Sequence, residues 1–217
     1  MTPGLVDRRD TDRRFKTASL ATDATYIVPA LVDLRAQLLP SSNQGDSSMC
    51  AAYAMAGWIE FYTWKYNGIT QQVDPEPIYN RAKELDGIPS VDGTTLECVL
   101  QAAQDLGLIS PVATASIRHV PLEGVQQALH RYGVILSAFN VTDQWWRSTP
   151  DGWVSPGGLS VGGHAVITIG YSTVDTPPWY AVQNSWGEKQ GWRGFNRLTP
   201  DLFKQQFDYG LVWDYPA

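Results

Sequence analysis

The order of two hydrophobic periodicities along the chain restricts its fold more than any other feature. Between residues 45 and 110, apolar residues recur at helical spacing, whereas after residue 133 they fall in short runs separated by glycine and proline. Helices followed by strands are typical of an α+β protein, since a parallel α/β sheet needs the two to alternate. The sequence therefore predicts an α+β fold with a helical lobe and a β lobe that share a cleft.

Three helices are predicted in the helical lobe. The first begins at Cys50 and ends before Gly68, a residue that permits the left-handed conformation found at helix C-termini. The second follows Asp74, a capping residue with a proline next in sequence. Thr94 and Glu97 have the spacing of a capping box and predict the start of the third. The apolar face of the first helix contains Ala51, Ala54, Met55, Trp58, Phe61 and Tyr62.

The second half of the chain predicts one short helix, over about residues 121–132, and then strands. We therefore assign residues 31–110 to the helical lobe and residues 111–217 to a mainly antiparallel β lobe. Residues 1–30 lack periodicity and predict an extended N-terminal arm. We expect this arm to pack on the back of the β lobe, as termini commonly dock or fray; the alternative is an inhibitory strap across the cleft. The expected strands are VILSAFNV, HAVITIGY, WYAVQ, FNRL and YGLVWD.

Charge and composition exclude several classes of partner. With 16 basic and 22 acidic residues, the net charge of −6 argues against nucleic acids and anionic membranes, which both bind basic surfaces. No apolar run is long enough to span a membrane and no signal segment is visible, which favours a cytoplasmic location. Two cysteines are too few for a disulfide framework, and no Cys or His pair has metal-ligand spacing. We expect reduced thiols, no metal, no cofactor and a monomer.

Cys50 is the candidate for thiol chemistry. A helix N-terminus and a nearby imidazolium both lower the pKa of a thiol, although burial of a small residue explains the same position. Of the three histidines, His119 and His130 have surface-like settings. His164 begins an apolar strand after a glycine-rich loop, where a side chain can be held rigidly and stay accessible. Cys98 lies on the apolar side of the third helix and is expected to be a buried structural thiol.

The segment VQNSWG supplies a partner for the histidine. Asn184 follows a strand that could pair with the strand of His164, and its amide would then accept a hydrogen bond from the imidazole and fix the tautomer. Trp186 would cover that bond and exclude water. Taken alone, the segment is a turn with a buried tryptophan.

Three blocks of this sequence resemble the signature blocks of papain-like cysteine peptidases in order and separation: NQGDSSMC, GHAVITIGY and QNSWGEKQGWRGFNRL. The segments LVDLRAQ, DGTTLECVLQAAQDLGL and YGLVWDYP resemble further parts of that family, so the resemblance covers about residues 31–217. It implies a papain-like two-lobe fold, with a helical lobe, a β-barrel-like antiparallel lobe and the active site in the cleft between them.

The resemblance also implies the site residues. Cys50 would be the nucleophile, in a thiolate–imidazolium pair with His164 as general base and acid, and Asn184 would orient His164. Gln44, six positions before Cys50, would donate its side-chain amide to the oxyanion of the tetrahedral intermediate, together with the Cys50 backbone N–H. The residues that would contact a peptide or protein substrate are Gly93, Thr94, Thr95, Gly163 and Trp186.

Three positions depart from the family pattern without removing a catalytic group. Ser47 stands where secreted members have a cysteine, Ala51 where tryptophan is usual, and Gly163 where aspartate or asparagine is common. The missing cysteine indicates a disulfide-free bacterial or viral branch. The expected activity is peptide-bond hydrolysis. Acyl transfer, amide hydrolysis and removal of a ubiquitin-like tag would use the same triad, and a non-catalytic peptide-binding module is a further alternative.

Overall fold

A computed structural model describes residues 4–6, 18–110 and 116–214 of the chain. Its helices lie mainly in the first half and its strands mainly in the second, which is the predicted α+β arrangement. The helices are α1 (Cys50–Asn67), α2 (Pro75–Asp86), α3 (Leu96–Asp105), α4 (Val125–Arg131) and α5 (Pro200–Gln206). The strands are β1 (Ala18–Ser19), β2 (Leu31–Asp33), β3 (Ile117–Val120), β4 (Ile135–Thr142), β5 (Ser160–Ser172), β6 (Trp179–Gln183), β7 (Phe195–Leu198) and β8 (Phe207–Trp213).

Helix α1 carries the predicted apolar face and joins the two lobes. Its alanines, together with Met55 and Trp58, are buried in the common core, and the helix packs against β5. It ends where Gly68 adopts a left-handed conformation (φ 66°) and donates its N–H to the carbonyl of Trp64 at 2.9 Å. The predicted helix is confirmed at both ends, so Cys50 does occupy a helix N-terminus.

Side-chain caps begin α2 and α3, one of them at an unexpected residue. The carboxylate of Asp74 accepts a backbone N–H of the first turn of α2 at 3.0 Å, as predicted. For α3 the predicted cap is off by one position, because Thr95 accepts the N–H of Cys98 through its hydroxyl at 3.1 Å. The hydroxyl of Thr94, one position earlier, is buried and has no hydrogen-bond partner among the described residues.

All five predicted strands belong to one eight-stranded sheet, in the order β1-β3-β8-β4-β5-β6-β7 with β2 beside β5. Neighbouring strands run antiparallel, except for the parallel pair β1 and β3. Strand β5 pairs with β4, β6 and β2 and also packs against α1. A side chain on β5 is therefore held by pairing on both edges and by packing on one face.

The elements that the sequence did not predict are short. Strands β1, β2 and β3 have two to four residues each, too few for an alternating pattern to appear. Helix α5 does have a start signal, because Thr199 caps it and Pro200 is its first residue. The helix predicted over 121–132 is a 3-10 turn at Leu122–Gly124 followed by α4.

The lobe boundaries at residues 30 and 110 stay predictions. None of the helices in the described ranges is both long and apolar enough to cross a membrane.

Candidate active site

Three elements bring Cys50, His164 and Asn184 to the junction of α1 with the sheet. Cys50 is the first residue of α1, His164 lies in β5, and Asn184 follows β6, which pairs antiparallel with β5 as predicted. The Nε2 atom of His164 and the Oδ1 atom of Asn184 are 2.9 Å apart. The backbone amide of Ala165, the residue after the histidine, is near enough to the Cys50 thiol to act on its pKa. The geometry therefore groups the three predicted residues.

The side-chain amide of Asn184 is fixed on both sides. Its Oδ1 also accepts the N–H of Ser185 at 2.8 Å, and its Nδ2 donates to Oδ1 of Asn196 at 2.9 Å. With an oxygen facing it, Nε2 of His164 carries the proton, and Nδ1 of the neutral ring keeps its lone pair. Asn196 was not predicted, although a fully buried amide on the inward face of β7 is a signal for such a role.

Two indole rings enclose the imidazole. The ring of Trp186 stacks on that of His164, with centroids 4.8 Å apart and planes 24° apart. Trp145 approaches the same imidazole at 6.1 Å and 81°, and its own N–H donates to Gln206 Oε1 at 2.7 Å. Both indoles are buried and keep water away from the hydrogen bond between His164 and Asn184, which is the part expected of Trp186.

The thiol of Cys50 is enclosed by backbone amides. Besides the Ala165 amide, the backbone amides of Gly4, Ala51 and Cys50 itself act to lower the pKa of this thiol, and the residue is 0% exposed. The ring nitrogen of His164 that Asn184 does not use, Nδ1, is buried and has no hydrogen-bond partner among the described residues. It is therefore available to exchange a proton with the thiol.

Burial sets the protonation state of both groups. Loss of water raises the pKa of the Cys50 thiol, against the opposing effect of the surrounding amides. Loss of water also lowers the pKa of His164 from 6.5 to about 4, against the effect of its bond to Asn184. At neutral pH this enclosed site holds an uncharged thiol and an uncharged imidazole. The expected thiolate–imidazolium pair differs from this form because an ion pair needs solvation that the site lacks.

Gln44 lies in the loop that precedes Cys50, and its side-chain amide forms two hydrogen bonds there. Its Nε2 donates to the carbonyl of Ser47 at 2.7 Å, and its Oε1 accepts the hydroxyl of Ser185 at 2.6 Å. A primary amide has two N–H groups, so one donor of Gln44 is left for another acceptor. Ser47, at the position of the cysteine in secreted relatives, closes this loop through a hydrogen bond from its hydroxyl to the Gln44 carbonyl at 2.7 Å.

Residues 4–6 of the N-terminal arm lie over the thiol and pair with both walls of the cleft. On the β-lobe wall, Leu5 donates its N–H to the carbonyl of Gly163 at 3.0 Å. On the helical-lobe wall, Thr94 donates its N–H to the carbonyl of Gly4 at 2.8 Å and accepts the N–H of Val6 at 3.0 Å. Three backbone hydrogen bonds thus hold this tripeptide between the lobes.

Glycines permit this close approach. A Cβ atom at Gly4 would overlap the carbonyl of Ser48, one at Gly93 would overlap the carbonyl of Gly4, and one at Gly163 would lie 2.6 Å from the carbonyl of Leu5. The arm was expected on the back of the β lobe, and its strand β1 pairs with β3 at one end of the sheet. Residues 4–6 instead cross the cleft, because both walls offer partners to their backbone groups.

The other predicted residues serve the fold or lie at a distance. Thr95 is fully buried and its hydroxyl caps α3, so this side chain is not presented to the cleft. His119 lies in β3, where its ring stacks on Tyr209 with centroids 5.3 Å apart, and His130 is exposed. Cys98 is buried, and neither cysteine forms a disulfide. No cluster of three or more His, Cys, Asp or Glu side chains within the described ranges is arranged to hold a metal ion.

A family profile described as papain family cysteine protease matches residues 59–206, a range that includes His164 and Asn184 and begins after Cys50. Cathepsin B-like cysteine proteinase 5 of Caenorhabditis elegans is 30% identical over 95 residues, and cathepsin B-like cysteine proteinase 6 of the same organism is 32% identical over 95 residues. Each match covers 44% of this chain but only 28% and 25% of the respective relative.

Solved structures share the fold over nearly the whole chain. Xylellain, a cysteine protease from Xylella fastidiosa, superposes with a TM-score of 0.78 at 18% identity, over 99% of this chain and 96% of its own. Digestive procathepsin L2 proteinase from Tenebrio molitor larval midgut has a TM-score of 0.75 at 18% identity, over 99% of this chain and 78% of its own. At such identities the likeness establishes the two-lobe fold and nothing about substrates.

Proposed function

Because the chain belongs to the papain family of cysteine proteases, we propose that it hydrolyses peptide bonds through an acyl-enzyme on Cys50. One observation carries this proposal: the thiol at the start of α1 lies near the backbone amide of Ala165, and the preceding residue, His164, has its Nε2 held by Asn184 at 2.9 Å. That arrangement leaves Nδ1 of His164 as the group that exchanges a proton with the sulfur.

The residues divide the reaction as follows. His164 takes the thiol proton at Nδ1, and the sulfur of Cys50 attacks the carbonyl carbon of the scissile peptide bond. The second N–H of Gln44 and the Cys50 backbone N–H stabilise the oxyanion of the tetrahedral intermediate. The carbon–nitrogen bond then breaks as the imidazolium gives its proton to the leaving amine. Water, deprotonated by His164, hydrolyses the thioester and restores the thiol.

The substrate backbone would lie along the edges that residues 4–6 now occupy. Thr94 offers both a backbone N–H and a carbonyl, and Gly163 offers a carbonyl, all used by the arm. Gly93 and Gly163 keep this channel open to a main chain, and Trp186 closes it beyond His164. We therefore keep these four as substrate-binding residues and assign Thr95 to the capping of α3.

With residues 4–6 over Cys50, the protein is in an inactive, resting form that a substrate cannot enter. Acylation requires a carbonyl carbon against the sulfur, whereas the arm presents the N–H of Gly4 to Sγ. The same residues shield the thiol and imidazole from water and so favour their uncharged forms. Departure of residues 4–6 would admit both a substrate and the water that a thiolate–imidazolium pair needs.

Thiol labelling tests the proposed nucleophile. Incubation of the full chain with a vinyl sulfone reagent, followed by peptide mapping, should locate the modification at Cys50, and Cys50→Ala should remove both labelling and hydrolysis of a peptide library. Labelling that is as fast in Cys50→Ala as in the parent would overturn the assignment. Masses of the library products separate hydrolysis from acyl transfer to an amine, and an intact thiol that never reacts would indicate a binding module.

The proposal extends to partners and location. Substrates are peptides or proteins, and the chain acts as a monomer without nucleic acid, membrane or cofactor in a reducing, cytoplasmic setting that keeps both thiols reduced. Size-exclusion chromatography with light scattering, and thiol counts in freshly lysed cells, test the monomer and the redox state.

A further inference from the structure

We propose that Lys83 is a positioning residue that orients the substrate-pairing edge of the cleft at Thr94. This inference rests on the proposed function, since Lys83 would orient backbone groups of the same substrate-binding cleft. Lys83 lies in the last turn of α2, and its side chain is 16% exposed. It is not next to Cys50 in sequence, and no signature block of the family contains it.

The ammonium group of Lys83 is surrounded by oxygen atoms of the following loop. Its Nζ lies 2.7 Å from Asp86 Oδ2, 2.7 Å from the Val91 carbonyl, 3.0 Å from the Gly93 carbonyl and 3.1 Å from the Ile88 carbonyl. Four acceptors share the three N–H groups of the ammonium. The carboxylate of Asp86 is 0% exposed, so the ion pair is screened little by solvent.

Few other contacts order the loop at residues 87–93 within the part of the chain that the structure describes. The loop contains no helix or strand, and most of it is exposed, including Val91 at 45%. The other hydrogen bonds seen there are from Ile88 N–H to Asp86 Oδ1, from Val91 N–H to the Ile88 carbonyl, and from Gly93 N–H to the hydroxyl of Tyr79 in α2. Three carbonyls that converge on one cation are therefore the main restraint on its path.

The link to the cleft is the peptide group between Gly93 and Thr94. In a trans peptide the C=O and the following N–H point in opposite directions within one plane. Because Lys83 holds the Gly93 carbonyl, the Thr94 N–H is turned the other way, into the cleft, where it donates to the Gly4 carbonyl at 2.8 Å. The cation thus fixes the direction of a donor that any extended backbone in the cleft would use.

Hydrogen exchange on the full chain tests this placement directly. Lys83→Met keeps the length of the apolar stem and removes the charge. We expect it to speed amide exchange at Thr94 and Val6 about tenfold or more while leaving exchange in α1 unchanged. Arg81→Met is the matched control, because Arg81 lies on the same helix and forms ion pairs with Glu84 and Asp105 that do not reach the loop. Parent-like exchange at Thr94 in Lys83→Met would overturn the proposal.

Kinetics separate positioning from a general structural role. With the arm displaced by Gly4→Val, we expect Lys83→Met to raise the KM for peptides about tenfold, with a smaller change in kcat and an unchanged rate of Cys50 alkylation by iodoacetamide. Lys83→Arg keeps the charge, so its KM should lie between those of Gly4→Val alone and Gly4→Val with Lys83→Met. If Lys83→Met fails to fold, Lys83→Arg is measured in its place. Loss of alkylation and peptide binding together, unrelieved by Lys83→Arg, would indicate a structural role only.

The two proposals fail separately. If neither the parent nor Gly4→Val labels at Cys50 or hydrolyses peptides, the proposed function is wrong, yet the exchange rates at Thr94 and Val6 still decide whether Lys83 orders this edge. If the parent is active and Lys83→Met matches Arg81→Met in exchange and in KM, the positioning role is wrong and the proposed function stands.

Discussion

Asn196 orients the imidazole of His164 through Asn184. Its Oδ1 accepts a hydrogen bond from Nδ2 of Asn184 at 2.9 Å, and Oδ1 of Asn184 lies 2.9 Å from Nε2 of His164. The chain of amides determines which end of Asn184 faces the ring. Because the facing atom is an oxygen, the ring proton stays on Nε2, and Nδ1 is left for the thiol. The reactive orientation of His164 is thus built from β7 as well as from β5.

Removal of the Asn184 amide should slow the reaction more than it weakens the fold. Asn184→Ala frees the imidazole to rotate and to protonate at Nδ1, so we expect kcat for peptide hydrolysis to fall about 10²-fold, within the range attributed to a positioned general base. Steady-state kinetics measure this. Asn80→Ala, an exposed asparagine on α2, is the control. A parent-like kcat in Asn184→Ala would show that the ring is oriented by Trp186 and Trp145 alone.

Enlargement of residue 4 should open the cleft. The side chain of Gly4→Val would overlap the Ser48 carbonyl, so residues 4–6 must leave their position between the two walls of the cleft. We expect Cys50 alkylation by iodoacetamide to accelerate at least tenfold and peptide hydrolysis to rise in parallel. Ser19→Val changes the arm at an exposed position in β1 and should leave both rates unchanged. An alkylation rate that Gly4→Val does not alter would mean that residues 4–6 do not restrict access.

Acid should destabilise the enclosed site through His164. Its pKa is about 4 in the fold, against 6.5 for an unperturbed histidine, so the unfolded state binds more protons between these pH values. The stabilisation is present above pH 6.5 and is lost as the pH falls toward 4, by up to about 3 kcal/mol. The side chains that contact the ring are uncharged: Asn184, Trp186 and Trp145, with the thiol of Cys50 nearby.

Urea unfolding at pH 7.5, 6 and 5 measures this effect. The difference in the free energy of unfolding between the parent and His164→Gln should shrink as the pH falls. Comparison of the two proteins also cancels the contribution of Glu60, whose half-buried carboxyl has a pKa raised by loss of water and acts with the opposite sign. A difference that is constant across this range would contradict the lowered pKa of His164.

Cys98 should matter for stability and not for reactivity. Its side chain is buried in α3, so Cys98→Ala leaves a small cavity and should lower the free energy of unfolding by about 1 kcal/mol. The rate and stoichiometry of vinyl sulfone labelling should be unchanged, because the reactive thiol is Cys50. Labelling that falls by half in Cys98→Ala would show that both cysteines react.

The sequence was sufficient for the long elements and for the residues inside them. Helix α1 has a start, a continuous apolar face and a glycine stop, and β5 and β6 are long enough for their runs to show. Pairing of β5 with β6 predicted that Asn184 lies beside His164, whereas the family resemblance was needed to place Cys50 with them. The family resemblance added Gln44, which lies in a loop without periodicity.

What could not be predicted depends on contacts between distant backbone groups. Thr94 and Thr95 both suit a helix cap, and their local pattern does not fix the start of α3 to within one residue. The position of residues 4–6 follows from unpaired backbone groups on the two cleft walls, which no pattern of side chains reveals. The role of Asn196 likewise depends on the side of β7 that faces Asn184.

Residues 4–6 occupy the cleft because they are covalently linked to the rest of the chain. Three backbone hydrogen bonds give a tripeptide little affinity of its own, but a covalent link keeps it at an effective concentration on the order of millimolar. A single cut between residues 6 and 18 would turn this built-in occupant into a weak ligand that dilution removes. Dilution should therefore speed Cys50 alkylation in the cut protein and leave the intact chain unaffected.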